Sequence, residues 1–476
     1  MSESYIRQIL FLVLINVLIK IFYVFGIERQ VQLAVGTSAY GLYFALFNFT
    51  YLFQVINEFG IQNYNLQVIA SKSQSIRTQL HLVSWAKLFL HIIFSGLLFT
   101  FALVLGYAAN LRWLIFLGIN QILISWISYL RTFYSGRSFY RHDAYISVLD
   151  KSLMILFIGA ILIVPHWRSQ LTVGWFLGLQ TIALLVTALI AHVWAGDLTY
   201  VGWVKPKIQE VLSLVKACAP FVLTVFLMTV YARLDGVMIE RLLPDGAHEA
   251  GIYAAGYRLL DAVNMVVFLV AIPLLSTYAT HRENHMALYA VYRSTLWMIG
   301  IITIGGAVFL AVYAYEIMAW IYPGSNKYWA DVLQPIIFTF IPTGLIMITS
   351  SLFTADRSLS KINIYFVGSI LVNFLLNWWL ILEHQALGAA WATIITQGLT
   401  AIMLMWRVKA HYRIFPGQDY LHLALHGIGL YLVLRVLCFN SNSLNHPVWG
   451  FMISGVWAIT LFFIYRKRIL VRPKGL

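Results

Sequence analysis

The sequence predicts an all-α polytopic membrane protein of about fourteen transmembrane helices, and three observations predict it. Apolar runs of spanning length follow one another along the whole chain. The basic residues lie mostly on alternate connections between those runs. A phrase near residue 41 returns near residue 251. With 61% hydrophobic and only 11% charged residues among 476, the chain has too little polar surface for a soluble fold of its size.

A spanning helix needs about 20 apolar residues, and suitable segments lie near 8–27, 38–61, 83–106, 112–133, 146–166, 171–194, 211–233, 249–275, 293–321, 332–354, 362–382, 386–406, 420–438 and 447–465. The first is read as a retained helix rather than a signal peptide, because Lys20 interrupts it and no small-residue cleavage site follows. It turns through a short charged loop, GIERQVQLAVG, into the second. With the N-terminus inside, twenty basic residues fall at or near the inner face, among them Arg131, Arg137, Lys205, Lys361 and Arg466. Only five fall outside: Arg29, Arg112, Arg168, Arg241 and Lys327. That bias places both termini in the cytoplasm and supports an even number of spans.

The chain also reads as built twice. Gly41, Tyr43, Ala45 and Phe47 match Gly251, Tyr253, Ala255 and Tyr257 at an offset of 210, and Arg137, Ser138, Arg141 and Tyr145 match Arg357, Ser358, Lys361 and Tyr365 at an offset of 220. Six helices per copy is an even number, so both copies insert with the same orientation, related by a pseudo-two-fold axis along the membrane normal. The expected division is an N-terminal lobe over 1–194, a cytoplasmic linker over 195–210, a C-terminal lobe over 211–410, and helices thirteen and fourteen with a basic tail over 411–476.

Much chemistry is excluded. The net charge of +14 is dealt out between apolar segments rather than gathered on one face, which argues against a nucleic-acid partner. Cys218 and Cys438 both lie in apolar segments and give no disulfide or metal spacing. There is no phosphate-binding loop. His422 and His426 stand at helical spacing but lack the glutamate of a zinc protease. No cofactor or metal is called for, and no enzyme activity is expected; an embedded saccharide polymerase would need a long outer loop with acidic residues.

The informative residues are ionisable groups inside helices, because a charge near the bilayer centre costs about 2.5–3.5 kcal/mol on insertion scales and turns toward a polar cavity. Lys20, read as about seven residues from the outer end of its helix, is the clearest. Arg258 and Asp261 at i,i+3 could neutralise each other; under the repeat Arg258 takes the place of Asn48. Arg233 and Asp235 lie near the outer end of the seventh helix. Lys87, Lys151, Lys216 and Glu58 lie near helix ends and read as interfacial.

The phrase FGIERQVQLAVG followed by YGLYFALFNFTYLFQ, and the later APFVLTVFLMTVYARLDGVMIERLL with GIYAAGYRLLDAV, resemble the O-antigen and polysaccharide flippases of the multidrug, oligosaccharidyl-lipid and polysaccharide exporter superfamily. The resemblance implies a V-shaped pair of six-helix lobes around a cationic cavity lined by helices one, two, seven and eight. It implies a lipid-linked oligosaccharide substrate carried on undecaprenyl pyrophosphate, a bacterial inner membrane, and a polysaccharide polymerase and glycosyltransferases as partners beside the membrane lipids. Lys20, Arg29, Arg233 and Arg258 would supply the positive charge, with Asn48, Asp235 and Asp261 as polar neighbours. The physics agrees: a pyrophosphate crossing hydrocarbon needs cations along its path. A cation-coupled multidrug exporter is the alternative within the superfamily, and a non-transporting membrane scaffold the alternative outside it.

Overall fold

A computed structural model describes residues 14–62, 64–65, 69, 76–137, 139–196, 206–356, 358, 360–440 and 447–469. Ser138 and Arg357 of the second repeat phrase therefore lie outside the described residues, as do Arg7, Lys72, Lys205, Arg472 and Lys474 of the charge count.

Every one of the fourteen apolar segments corresponds to a helix. Helix α1 covers residues 14–35 and α2 has two pieces, Thr37–Leu52 and Gln54–Glu58. Then follow α3 (Ile76–Val104), α4 (Leu111–Gly136), α5 (Tyr140–Ile163) and α6 (Val173–Ala195). The second half holds α7 (Ile208–Leu242), α8 (Gly246–His281), α9 (His285–Val312) and α10 in two pieces, Lys327–Phe338 and Phe340–Ala355. One helical run, Ser360–Tyr412, is split at Gln385, where φ is 56°, into α11 (360–384) and α12 (386–412). Helices α13 (Gly417–Asn440) and α14 (Pro447–Ile464) complete the chain. Nine helical stretches among the described residues are long and apolar enough to cross a membrane. This is an all-helical, multi-pass membrane protein.

The first connection differs from the sequence reading. Residues 23–35 form no charged loop: a π-helical turn, Tyr23–Glu28, runs straight into Arg29–Val35. Gly36 alone makes the turn into α2, at φ 87° and ψ 159°, a conformation that glycine adopts without the steric cost of a side chain. Nothing in 28–35 stops a helix, since there is neither proline nor an earlier glycine after Gly26. Lys20 is thus fifteen residues from the end of α1, about 22 Å at a rise of about 1.5 Å per residue.

The chain divides into two compact units, Met1–Val237 and Met238–Leu476. The division falls within α7 instead of in the 195–210 stretch. Sequence composition marks linkers, whereas packing decides units: Val211, Leu214 and Cys218 of α7 share an apolar core with Ile61, Val83, Leu130 and Leu184. Further along α7, Gly236 lies so close to α2 that a Cβ there would stand 2.8 Å from the Phe44 ring and 2.7 Å from Asn48 Nδ2.

Within each unit the repeated phrase is treated alike. Gly41, Tyr43 and Ala45 are buried, as are Gly251, Tyr253 and Ala255, while Phe47 and Tyr257 are half-buried. Along its helix Tyr43 meets Phe47 with tilted rings 6.2 Å apart, and Tyr253 stacks on Tyr257 at 5.8 Å. Tyr43 also meets α6 edge-on at Phe176, 5.4 Å away, and Tyr253 reaches Thr393 of α12 at 3.4 Å.

In the second unit, α13 and α14 rest on α9 through one carboxylate. Asp419 at the start of α13 accepts from Arg293 Nε (2.7 Å) and Trp297 Nε1 (2.8 Å) of α9 and from Arg468 Nη1 (2.5 Å) beyond α14. Trp297 stacks on Tyr465 with centroids 3.9 Å apart. His426 is hydrogen-bonded to Tyr465 Oη and His422 contacts Arg468, so this histidine pair ties helices together.

Candidate functional site: basic side chains within the helices

The expected site residues other than Arg29 fall into three groups. Lys20 is half-buried on α1, one turn from residues that pack on α5: Asn16 Nδ2 donates to Ser147 Oγ at 2.6 Å, and Tyr23 lies under the ammonium of Lys151 at 4.9 Å. The charges that Lys20 feels are Arg131 of α4 and Lys151 and Asp150 of α5. Arg131 is held by Asp143 (2.5 Å), which also accepts from Ser135 (2.8 Å), and Lys151 by Asp150 (3.0 Å). Three cations and two carboxylates therefore share one region of the first unit. The sequence reading placed Arg131 at the cytoplasmic end and gave Lys151 little weight. Neither α4 nor α5 announces in its own pattern which helix it will face.

The second group joins α2 to α7. Asn48 is 1% exposed, and Arg233 lays its guanidinium over the Tyr51 ring at 5.1 Å, a cation–π contact one turn from Asn48. Asp235, 2% exposed, is on the same stretch of α7, next to Gly236. The missing side chain at Gly236 is what lets these two helices approach, so the polar residues are brought together by a glycine that the sequence reading passed over.

The third group lies in the second unit. Arg258 and Asp261 of α8 form an ion pair at 3.6 Å, the neutralising arrangement that their spacing allows. Arg29 lies apart, in the last part of α1 beyond the π turn and beside buried Glu28 and Gln32. Lys87, read as interfacial, is instead fully buried. Its helix starts at Ile76, well before the apolar run suggests, so Lys87 lies inside the bundle. Among the described residues no group of three or more His, Cys, Asp or Glu side chains could hold a metal ion.

Basic and amide side chains set into apolar helices mark each of the two compact units of this all-helical, multi-pass membrane protein. The chain belongs to the polysaccharide biosynthesis protein family, whose model matches residues 5–279. Compared with curated protein sequences, it has no match. Among solved structures it is similar to the lipid II flippase MurJ in an inward closed conformation, with a TM-score of 0.73 at 16% identity, covering 98% of this chain and 100% of that one. It is also similar to a multidrug resistance MATE family transporter in its inward-facing conformation, with a TM-score of 0.64 at 13% identity, over 87% and 98% of the two chains. A MOP superfamily transporter from Pyrococcus furiosus gives 0.55 at 12% identity, over 86% and 95%.

Proposed function

We propose that the protein is a flippase that carries an undecaprenyl-pyrophosphate-linked oligosaccharide, an O-antigen or related repeat unit, across a bacterial inner membrane by alternating access, with both termini cytoplasmic. The observation that carries this reading is the set of cations placed within apolar helices, Lys20 with Arg131 and Lys151 above all. Each such charge costs insertion energy, which a water-filled cavity, a carboxylate partner as at Arg131 and Lys151, or an anionic passenger offsets. Lys20, Arg29 and Arg233 in the first unit and Arg258 in the second are the cations proposed to meet the pyrophosphate. Asn48, Asp235 and Asp261 are the polar groups beside them. The matched environments of Tyr43 and Tyr253 support treating 1–194 and 211–410 as repeated lobes. The family and the MurJ-like fold support a passenger on a lipid carrier.

A multidrug exporter taking cationic drugs would want a membrane carboxylate without a basic partner, and Asp261 stands 3.6 Å from Arg258. The reaction proposed is translocation without bond cleavage, so no catalytic residue is assigned. The test is to delete the gene in its host and locate the lipid-linked saccharide. Accumulation on the cytoplasmic leaflet, reversed by the intact gene, is expected. Normal delivery of saccharide to the outer leaflet in the deletion strain would overturn the reading.

A further inference from the structure

A cation of the first unit lies away from the groups above. The ammonium of Lys87 on α3 donates to the carbonyl oxygen of Asn57 (3.2 Å) and to both the carbonyl (3.1 Å) and hydroxyl (2.5 Å) oxygens of Ser125 on α4. An ammonium has three donors, whereas a neutral amine has two and a lone pair. Three oxygen acceptors therefore match the charged form.

One acceptor belongs to the place where α2 fails. That helix breaks at Phe53, resumes for Gln54–Glu58, and ends with Phe59 at φ 40° and Gly60 at φ 69°. A helix end buried in the protein, as at Asn57, leaves carbonyl oxygens to be satisfied by something other than water. In carriers with discontinuous helices such carbonyls hold the coupling cation. Here the cation is a side chain. The surrounding polar groups continue the same network: Ser125 Oγ donates to Asn57 O (3.0 Å), Asn57 Nδ2 to Gln54 Oε1 (2.9 Å), and Gln54 Nε2 to Gln121 O (3.2 Å). His91 Nδ1 is 2.9 Å from Asn57 Oδ1, while its buried Nε2 has no hydrogen-bond partner among the described residues.

The ionisable groups around Lys87 are few. Glu58 at the end of α2 is the opposite charge that it feels, and His91 shares its own helix. Tyr129 of α4 is bonded to Ser84 of α3 at 3.3 Å, and Cys218 of α7 lies in the apolar core that also holds Ala86.

We propose that Lys87 is a protonation switch: as the ammonium it pins the broken end of α2 to α4, and loss of one proton to solvent base leaves a neutral amine that lets that end go. The step is balanced, ammonium and hydroxide becoming amine and water, and the amine keeps two donors for three acceptors. A proton taken up or lost here would thereby drive movement of α2, giving the carrier a coupling site in its first unit. The coupling purpose rests on the carrier reading, but the switch is tested without any passenger.

The experiment is hydrogen–deuterium exchange on the purified full-length protein in detergent, followed in peptides covering residues 53–60 from about pH 5 to about pH 9, with rates corrected for the intrinsic pH dependence. The wild type is expected to lose protection there by roughly tenfold as the pH rises, the release of one charge-assisted contact. Lys87→Arg, permanently charged, is expected to stay protected throughout. Lys87→Met is expected to be unprotected at every pH. Protection of Lys87→Met equal to the wild type at low pH would overturn the switch, as would the same pH response in Lys87→Arg. Should Lys87→Arg not fold, the wild type decides alone: protection of residues 53–60 that does not fall as the pH rises would overturn the switch.

Discussion

Asp419→Asn tests how the last two helices are held. The carboxylate is 2% exposed, its Arg293 and Arg468 partners 28%, and it accepts from both arginines and from Trp297. The substitution keeps the shape, removes the charge, and turns an amide N–H₂ toward donors that need an acceptor. Removing one partner of a buried ion pair costs about 3–5 kcal/mol. Because both arginines keep some water, the lower end applies, about 3 kcal/mol. For a unit of this size about 1 kcal/mol moves the midpoint by about 2–4 °C, so the expected fall is roughly 6–12 °C. Thermal unfolding in detergent, read by tryptophan fluorescence, measures it, since Trp297 stacks on Tyr465 in the same contact. Hydrogen exchange should rise in α13 and α14 and stay unchanged in α3 to α6. Glu283→Gln, at a pair whose carboxylate is 87% exposed, is the control and should shift nothing measurable. A midpoint for Asp419→Asn within about 1 °C of the wild type, or exchange rising equally in both units, would refute the reasoning.

Other outcomes follow from the same geometry. Gly236→Ala should force α7 away from α2 at Phe44 and Asn48, lowering export and costing about 1–3 kcal/mol of stability by overpacking; unchanged melting would show that the helices yield freely. Glu249, which accepts from Tyr328 Oη (2.7 Å) and from the Ala386 N–H (3.1 Å) at the start of α12, should on change to Ala cost about 1–3 kcal/mol and expose α12 to exchange near residue 386. Lys20→Arg and Arg258→Lys should keep substantial saccharide export in complementation, whereas Lys20→Ala and Arg258→Ala lose most of it at normal membrane levels. If the Arg258–Asp261 pair only stabilises the fold, Arg258→Ala and Asp261→Ala should instead reduce folded protein alike.

Run length and charge bias made the helices legible, because insertion into lipid is decided residue by residue along one segment. Neighbours across helices are not written that way. Lys20 stood out in its own segment, yet Arg131 and Lys151, which share its surroundings, looked like ordinary end charges in theirs. Lys87 read as interfacial because its burial depends on how far α3 extends past its apolar run and on where α2 breaks. The stretch 28–35 read as a loop because its charges resemble those of a connection, although nothing in it opposes a helix. Gly236 carried a signal that was available, a glycine beside buried Asp235 in an apolar helix, but only the partner helix shows what its absent side chain permits.

The π turn at Tyr23–Glu28 has an effect on phase. Nine residues separate Lys20 from Arg29, and on an unbroken α-helix, at about 100° per residue, they would point in opposite directions. A π turn absorbs about one extra residue, so the two behave as if about eight apart, roughly 80° around the axis. The insertion thus rotates the second cation toward the side already taken by the first, and sets both about 12 Å or more apart along one flank of α1. Rewinding the turn as regular α-helix with all its residues kept would undo that rotation without altering any charge in the chain.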